Sequence, residues 1–150
     1  MKGWLLDTNI ISALTGPKPE PRVQAWAAAY PSHILHISIL TLGEFQKGIH
    51  NLQPGDKLRH KIEHVVLGIE TRFAGRILPL SNAIVLRWGA IAGEAKRHTG
   101  HAPAVIDTML AATAIEHNLY FATRNIADVK HSGAAVFNPW KDDPAHFPLL

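Results

Sequence analysis

The 150-residue sequence contains no cysteine, and this absence excludes several kinds of protein. A disulfide-stapled fold, a zinc site with thiolate ligands and a cysteine nucleophile all require cysteine. The absence also suits a reducing compartment, so we expect a cytoplasmic protein. No apolar run approaches the roughly 20 residues that a membrane-spanning helix needs. The apolar run that ends at Asp7 is too short for a signal peptide.

A strong excess of charge of one sign is also missing. The chain has 15 basic and 12 acidic residues, a net charge of +3 and a pI near 9.4. This balance permits attraction to a polyanion without requiring it. Hydrophobic residues make up 47% of the chain and charged residues 18%, which is typical of a globular protein. The length predicts one domain over residues 1–150, with residues 139–150, which contain three prolines, as an irregular tail.

Short strand-like runs alternate with longer helix-like patterns along the chain. Strands are predicted over residues 4–6, 34–37, 77–80, 119–122 and 135–137, and helices over residues 9–15, 21–30, 39–51, 56–74, 82–98 and 104–117. Thr8 or Asn9 is placed to cap the first helix, Ser38 the third and Ser81 the fifth. Strands that alternate with helices indicate a parallel sheet covered on both faces. The predicted fold class is therefore α/β, a three-layer α/β/α sandwich with a central parallel sheet.

Four acidic residues fall where such a sheet would gather them at one edge. Asp7 ends the first strand, Glu44 lies in the helix that leaves the second strand, and Asp107 lies in the first turn of the helix at residues 104–117. Asp128 lies in the turn-rich stretch at residues 123–133, after the fourth strand. In open parallel sheets the ligand crevice lies at the carboxyl ends of the strands.

Each acid taken alone also has an ordinary structural interpretation. Asp7 and Asp107 would be favourable near a helix N-terminus in any protein. Glu44 would be a solvated glutamate opposite the predicted apolar face, and Asp128 a turn residue. That apolar face consists of Ile39, Leu42, Phe45, Ile49 and Leu52.

The joint pattern of the four acids favours a metal site. Clustered carboxylates repel one another unless they share a cation, and hard divalent ions prefer oxygen ligands. We therefore expect Mg²⁺ or Mn²⁺ to be held by Asp7 and Asp107, with Glu44 and Asp128 completing the cluster. A cation so placed can polarise a phosphoryl oxygen and activate a water for in-line attack.

The chain resembles the PIN-domain ribonucleases, and among them the VapC/FitB-type toxins of bacterial toxin–antitoxin pairs. The matching segments follow one another in order over nearly the whole chain: Leu6-Asp7-Thr8-Asn9, Thr41-Leu42-Gly43-Glu44, Ile77-Leu78-Pro79-Leu80, Ile106-Asp107 with Leu110-Ala111-Ala112-Thr113-Ala114, and Thr123-Arg124-Asn125 with Asp128.

The resemblance implies a small α/β/α nuclease that cleaves RNA with Mg²⁺ or Mn²⁺. It implies that Asp7, Glu44, Asp107 and Asp128 form the acidic quartet, supported by the polar residues Thr8, Asn9, Thr123, Arg124 and Asn125. Asp128 and Asn125 share one loop, so either can fill the fourth position. The resemblance also implies a homodimer and a cognate antitoxin, whose tail enters the active-site groove and often brings a basic side chain to the acids.

Three other functions are weighed against this one. His60, Glu63 and His64 fit the H-x-x-E-H pattern of some zinc peptidases, which also needs a third ligand and a cleft. This segment lies in a charged predicted helix of a chain with ten histidines, and we interpret it as a solvated helix face. A phosphatase-type D-x-D motif fails because Asn9 cannot act as the second acid. A catalytically weak PIN-fold binding module is the remaining alternative.

Four basic residues could flank the rim of the acidic site. They would contact RNA phosphates and would not read bases, and a solvated surface position is the alternative for each. These residues are Lys47, Lys96, Arg97 and Arg124.

Overall fold

The computed structural model describes residues 1–18 and 20–150. Pro19, one of the prolines that break the chain between the first two helices, lies outside the described residues. Five strands are present: β1 (Trp4–Leu6), β2 (Leu35–Ser38), β3 (Ile77–Leu78), β4 (Tyr120–Ala122) and β5 (Val136–Phe137). Seven helices appear in the described part of the chain: α1 (Thr8–Thr15), α2 (Pro21–Ala28), α3 (Ile39–His50), α4 (Lys57–Arg72), α5 (Asn82–Thr99), α6 (Val105–Glu116) and α7 (Ile126–Val129). Short 3₁₀ turns cover Ser32–Ile34 and Pro144–His146.

All five strands are parallel and form one sheet in the order β3-β2-β1-β4-β5. The chain builds the sheet outward from β1 in one direction through β2 and β3, then returns to the other side of β1 with β4 and β5. The strand order therefore reverses between β1 and β4. In parallel sheets a crevice opens outside the carboxyl ends of the strands at such a reversal. Asp7 follows β1 and Thr123 follows β4, so both lie at this crevice.

The central strand supplies apolar side chains to both faces of the sheet. Successive side chains of a strand point to opposite faces, and Trp4 and Leu6 pack into one buried cluster whereas Leu5 packs into another. The first cluster joins residues of α1, α2 and α4, including Trp26 and an aromatic contact from Phe137. The second cluster is lined by alanines and Leu110 of α6. Helices thus cover both faces, which confirms the predicted three-layer α/β/α sandwich.

Two predicted caps are present and one differs. Ser38 accepts a hydrogen bond from the backbone N–H of Leu40 at 3.1 Å, and Ser81 accepts one from Ile84 at 3.2 Å. The first helix was predicted to be capped by Thr8 or Asn9, and that prediction is wrong. The cap is Asp7, because β1 ends at Leu6 and α1 begins at Thr8. This leaves Asp7 as the single junction residue between strand and helix.

One strand end, one additional helix and the exposure of one side chain also differ from prediction. The third strand was predicted to reach residue 80 and ends at Leu78, before Pro79, which has no N–H to donate to a sheet. The turn-rich stretch after β4 contains the short helix α7. Ile39, expected on the buried face of the third helix, is 44% exposed, because this residue begins the helix at the edge of the sheet.

The tail from residue 139 contains one short 3₁₀ turn and is packed against the rest of the protein. Phe147 contacts the rings of Tyr120 and Phe137. The Tyr120 hydroxyl donates to the carbonyl of Pro148 at 2.9 Å, and the Leu150 N–H donates to the carbonyl of Met1 at 3.0 Å. The tail therefore covers the same face of the sheet that holds the aromatic cluster. Within the described residues, no helix combines the length and apolarity needed to cross a membrane.

Gly3, just before β1, marks a close approach between two strands. A Cβ atom at Gly3 would lie 2.3 Å from the backbone carbonyl oxygen of Ile34, which precedes β2. No real side-chain carbon comes so close to backbone, so any larger residue would push the two strands apart.

The packing of the aromatic cluster predicts how much stability the protein loses when one of its rings is removed. Phe137 is fully buried and its ring contacts those of Trp4, Trp26 and Phe147. We expect Phe137→Ala to lower the free energy of unfolding by about 3–5 kcal/mol through lost contacts and a residual cavity. Urea denaturation of the variant and the wild type measures this change in the free energy of unfolding. Leu67→Ala, at a side chain that is 63% exposed, should change stability by less than about 0.5 kcal/mol, and equal effects of the two variants would contradict the assignment of the core.

Candidate active site

Asp7 is the hub of a hydrogen-bond network at the crevice between β1 and β4. Its side chain is only 3% exposed, and its Oδ1 accepts the backbone N–H of Thr8 at 2.7 Å. Its Oδ2 accepts the Thr123 hydroxyl at 2.5 Å and the Asn9 amide at 3.1 Å. A carboxylate offers about four lone-pair directions, so the three donors named here leave capacity for one further ligand.

Burial raises the pKa of Asp7 above its usual value. Hydrogen bonds from Thr123 and from the Thr8 backbone oppose this shift, the negative charge of Glu44 adds to it, and the Asn9 hydrogen bond opposes it. The upward direction of the net pKa shift shows that the donors do not fully replace the lost water. A cation beside Asp7 would remove this deficit.

Glu44 is brought to the site by α3 and held by a residue of α1. The Thr8 hydroxyl donates to Glu44 Oε1 at 2.6 Å and also lies 3.4 Å from the hydroxyl of buried Thr41. Glu44 is half-buried, so the expectation for this residue alone, a solvated glutamate pointing away from the core, is wrong. The face of α3 that meets the sheet edge includes Thr41 and Glu44 as well as apolar residues.

Asp107 has a strongly raised pKa. It lies in the first turn of α6, and its pKa is raised to about 6. The main cause is burial, followed by the negative charges of Asp7, Asp128 and Glu44 and by a hydrogen bond with Asp128 that favours the protonated form. The negative charges of the other three predicted acids therefore all help to raise the pKa of Asp107.

The two residues predicted for the fourth position, Asn125 and Asp128, lie in different parts of the site. Asn125 lines the same cleft as Asp7, Glu44 and Asp107. Asp128, which is exposed, lies beside Asp107 and lines a neighbouring hollow of about 310 Å³ together with His101, Lys130 and His131. Asp128 is thus close enough to influence Asp107 but lies toward the α5–α7 side of the cleft.

The predicted supporting residues form one connected set. The Asn9 amide also approaches the Thr123 hydroxyl at 3.3 Å, and the same hydroxyl accepts the backbone N–H of Asn125 at 3.0 Å. The side-chain oxygen Oδ1 of Asn9 accepts a hydrogen bond from the backbone N–H of Arg124 at 3.3 Å. These contacts join the start of α1 to the loop after β4, so that loop is positioned by the same residues that surround Asp7.

The acids open into a cleft of about 580 Å³. Its walls also include the turn after α1 and side chains that follow β4 and β5: Gly16, Pro17, Lys18, Glu20, Arg124 and Trp140. A slightly larger hollow of about 610 Å³ lies among α1, α2 and α4, and is lined mainly by apolar side chains with no carboxylate among the described residues. Asp7, Glu44 and Asp107 therefore share the cleft of about 580 Å³, and Asp128 lines the neighbouring hollow of about 310 Å³.

The donor set suits a hard cation that keeps part of its water shell. Oxygen is the only donor type that Asp7, Glu44 and Asp107 offer, and their mutual repulsion is relieved by positive charge. Across residues 1–18 and 20–150, no group of three or more acidic or histidine side chains is close enough to enclose an ion by itself. Mg²⁺ usually binds through one or two carboxylates and several waters, so the arrangement fits this mode.

Trp140 is a cleft residue that the sequence interpretation missed. It was placed in an irregular tail, yet its ring forms part of the wall beside Arg124. The signal that could have found it is its position three residues after β5, because chain segments that leave parallel strands collect at the same edge. The predicted basic residue Arg124 lines the cleft, whereas Lys47, Lys96 and Arg97 are not among its lining residues.

The H-x-x-E-H pattern lies on the exposed surface of α4. Glu63 Oε1 pairs with Arg59 at 3.0 Å, and Glu63 Oε2 lies 3.6 Å from His60 Nδ1. The glutamate that a zinc peptidase would need as a base is thus used in ion pairs within the helix. His64 lines the apolar hollow, where none of the described lining residues is acidic. The pattern is part of a solvated helix face.

The shifted pKa of Asp107 predicts how the metal-free protein depends on pH. A carboxyl whose pKa rises from 3.8 unfolded to about 6 folded binds its proton more tightly when folded, so stability falls as pH rises from about 4 to 6. Asp107→Asn removes this cost. In EDTA at pH 8 we expect it to raise Tm by about 2–4 °C, reduced by solvent screening of a half-exposed group.

The difference between Asp107→Asn and wild type should shrink as pH falls and disappear below about pH 3, where the wild-type carboxyl is protonated in both the folded and the unfolded state. Thermal unfolding followed by circular dichroism measures both conditions. Asp56→Asn serves as a matched control, because asparagine also caps a helix and Asp56 lies at the start of α4, outside the cleft. A lower Tm for Asp107→Asn at pH 8 would show that the carboxylate is stabilising.

Comparison with known proteins agrees with this architecture. The family model of the PIN domain matches residues 4–127. The chain is 38% identical over 141 residues to Toxin FitB of Neisseria gonorrhoeae, which covers 92% of this chain and 99% of that protein. It is 30% identical over 140 residues to VapC ribonuclease Y4jK of Sinorhizobium fredii, covering 91% and 97% of the two chains. The crystal structure of FitAcB from Neisseria gonorrhoeae superposes with a TM-score of 0.80 at 36% identity, covering 91% of this chain and 98% of the other. The matched region contains β1 to β4 and the cleft residues Asp7, Glu44 and Asp107, and the chain belongs to the PIN domain family.

Proposed function

We propose that this protein is a Mg²⁺- or Mn²⁺-dependent ribonuclease that hydrolyses RNA phosphodiester bonds and acts as the toxin of a VapBC-type toxin–antitoxin pair. The observation that carries the proposal is the convergence of Asp7, Glu44 and Asp107 in one cleft, with the pKa of Asp107 raised to about 6. Two relatives support the proposal by their names, one a toxin and one a ribonuclease.

The four acids divide the binding of the cation in this proposal. Asp7 and Asp107 would be its direct ligands, Glu44 would bind it directly or through water, and Asp128 would be a ligand or an orienting acid. The bound cation supplies charge stabilisation to a phosphoryl oxygen and lowers the pKa of a coordinated water. Asp7 is suited to a fixed position because three donors hold its carboxylate.

Other residues of the site restrict how the acids can move. Thr8 ties Glu44 to the start of α1, and Thr123 ties Asp7 to the loop after β4. Ligands placed by such contacts need little reorganisation when the reaction begins. Lys18 and Arg124, both on the wall of the cleft, offer positive charge for the phosphates on either side of the bond that is cut.

A nucleic-acid substrate is favoured over a small phosphate ester by the shape of the site. The cleft is open to solvent and does not enclose its contents, and the chain carries net charge +3. An open cleft that has both acids and basic groups among its lining residues leaves room for a polymer that extends beyond it. A catalytically weak binding module, which is the alternative, would bind RNA with little or no repeated cleavage.

The test of activity is cleavage of RNA by the purified chain with Mg²⁺ or Mn²⁺. We expect Asp7→Asn to lower kcat/KM by at least about 100-fold, because several kcal/mol of charge stabilisation depends on the cation. EDTA should abolish cleavage. Mn²⁺ should raise the Tm of the wild type at pH 7.5 and leave the Tm of Asp7→Asn unchanged, which reports metal binding without reference to activity.

The controls separate this chemistry from contamination and from the zinc alternative. Asp56→Asn should cleave as the wild type does, and His60→Ala should do the same, because His60 lies on the surface of α4. Cleavage that survives both Asp7→Asn and EDTA would refute the mechanism. Loss of a zinc-dependent peptidase activity in His60→Ala would support the alternative.

An antitoxin partner and a homodimer complete the proposal. An open cleft with several carboxylates favours a partner that brings a basic side chain to them. Exposed apolar side chains follow β2 and β3 and begin α5, which provides a surface for a second copy: Ile39, Leu80, Val85 and Leu86. A cytoplasmic site of action fits the absence of cysteine.

Where a short reading frame adjoins the gene for this chain, co-expression of the two tests the partner and the dimer together. We expect a complex whose mass by light scattering contains two copies of this chain, and whose RNA cleavage is blocked until the partner is removed. A monomeric chain that purifies alone and remains active in the presence of the neighbouring product would contradict both parts.

A further inference from the structure

Trp140 and Arg124 form a stacked pair on the wall of the acidic cleft. The Arg124 guanidinium carbon lies 4.5 Å from the centre of the Trp140 ring, within the range of a cation–π contact. Both side chains line the cleft that holds Asp7 and Asp107. The pair joins two segments of the chain, the loop after β4 and the tail after β5, at the carboxyl edge of the sheet.

The tail is folded so that the indole of Trp140 is held in this position. Its Nε1–H donates to Glu20 Oε2 at 3.3 Å, and its backbone N–H donates to Asn138 Oδ1 at 2.9 Å. The Asn138 N–H in turn donates to Asp142 Oδ2 at 2.7 Å. The Arg22 guanidinium donates to two backbone carbonyls of the same turn at 3.0 and 3.1 Å. Polar contacts on several sides thus hold the ring at the cleft wall.

Arg124 is exposed and keeps its charge available to a ligand. Within the described residues, no carboxylate oxygen is paired with its guanidinium within 4.0 Å. Its backbone N–H is bound to Asn9, which also donates to Asp7. The backbone of Arg124 is therefore held by Asn9, and its guanidinium lies against the indole of Trp140.

We propose that the Arg124–Trp140 pair is the binding site for one unpaired nucleotide of the substrate, beside the bond that is cut. A free base extends the stack on the guanidinium and indole, and the guanidinium N–H groups contact the adjoining phosphate. Bases inside a duplex are stacked on one another and cannot reach the pair. This inference rests on the proposed ribonuclease function and names two side chains that hold the substrate in the same site.

Steady-state kinetics with Mn²⁺ test the proposal. The substrates are an unstructured RNA of about 12 nucleotides and the same strand annealed to its complement. Base stacking on an aromatic side chain is worth about tenfold in affinity, so Trp140→Leu should raise KM for the single strand about tenfold and change kcat less than about threefold. Trp140→Phe, which keeps an aromatic face, should restore most of the affinity. Arg124→Lys, which keeps the charge and loses the planar group, should behave like Trp140→Leu.

Intrinsic fluorescence gives a second measurement that does not depend on turnover. In EDTA, the single strand should quench part of the tryptophan emission of the wild type, and this change should be absent in Trp140→Phe. Trp4 and Trp26 are buried, and Trp88, whose indole donates to Thr108 on α6, does not line the cleft that would hold the strand. Arg72→Gln removes one positive charge beside the apolar hollow, outside the cleft, and should leave KM unchanged.

Four outcomes would overturn the proposal. They are an unchanged KM in Trp140→Leu, cleavage of the duplex as efficient as that of the single strand, quenching that persists in Trp140→Phe, and a Trp140→Leu variant that loses only its inhibition by the antitoxin. The last result would assign the pair to the protein partner. Absence of cleavage by the wild type with either metal would instead refute the proposed function, which keeps the two failures distinct.

Discussion

The carboxylate of Asp7 is the interaction on which both the fold at the sheet edge and the chemistry of the cleft depend. One of its oxygens caps α1, and the other accepts hydrogen bonds from Thr123 and Asn9, which ties β1 to the loop after β4. The same oxygens are buried, and the pKa of Asp7 is raised. The protein therefore places a carboxyl group where its ionised form is costly, and the surrounding hydrogen bonds fix the position of that group.

The sheet places Asp7 with little freedom. Trp4 and Leu6 pack on one face and Leu5 on the other, so the strand cannot slip by one residue without reversing its whole buried pattern. Gly3 adds a second constraint, because its close approach to the Ile34 carbonyl sets the distance between β1 and the segment entering β2. The position of the carboxylate is thus determined by packing several residues away from it.

Features that depend on local sequence were predictable. The alternating strands and helices gave the layered fold, Ser38 and Ser81 were found as caps from residue type and position, and three of the predicted acids line one cleft. The catalytic roles of these acids stay predictions. Their shared location could be anticipated because the carboxyl ends of parallel strands meet at one edge.

Features that depend on distant contacts were not predictable. Thr8 and Asn9 are acceptable caps locally, and only the end of the β1–β4 pairing makes Asp7 the cap. The Thr8–Glu44 hydrogen bond joins residues 36 positions apart, and nothing in the neighbourhood of either residue indicates it. The position of Trp140 after β5 places it at the edge where the cleft forms, but nothing in its aperiodic segment indicates that its ring contacts Arg124.

The tail after β5 has a consequence for the order in which the cleft is built. Asp7, Glu44 and Asp107 have all been synthesised before Trp140, which follows Asp107 by 33 residues. At typical ribosomal rates this interval lasts about two to seven seconds. Synthesis from the amino end therefore supplies the acidic centre first and the aromatic wall afterwards. Because β4 and Thr123, which border the cleft, also follow Asp107, the acids are made before the cleft that gathers them, and the aromatic wall comes last.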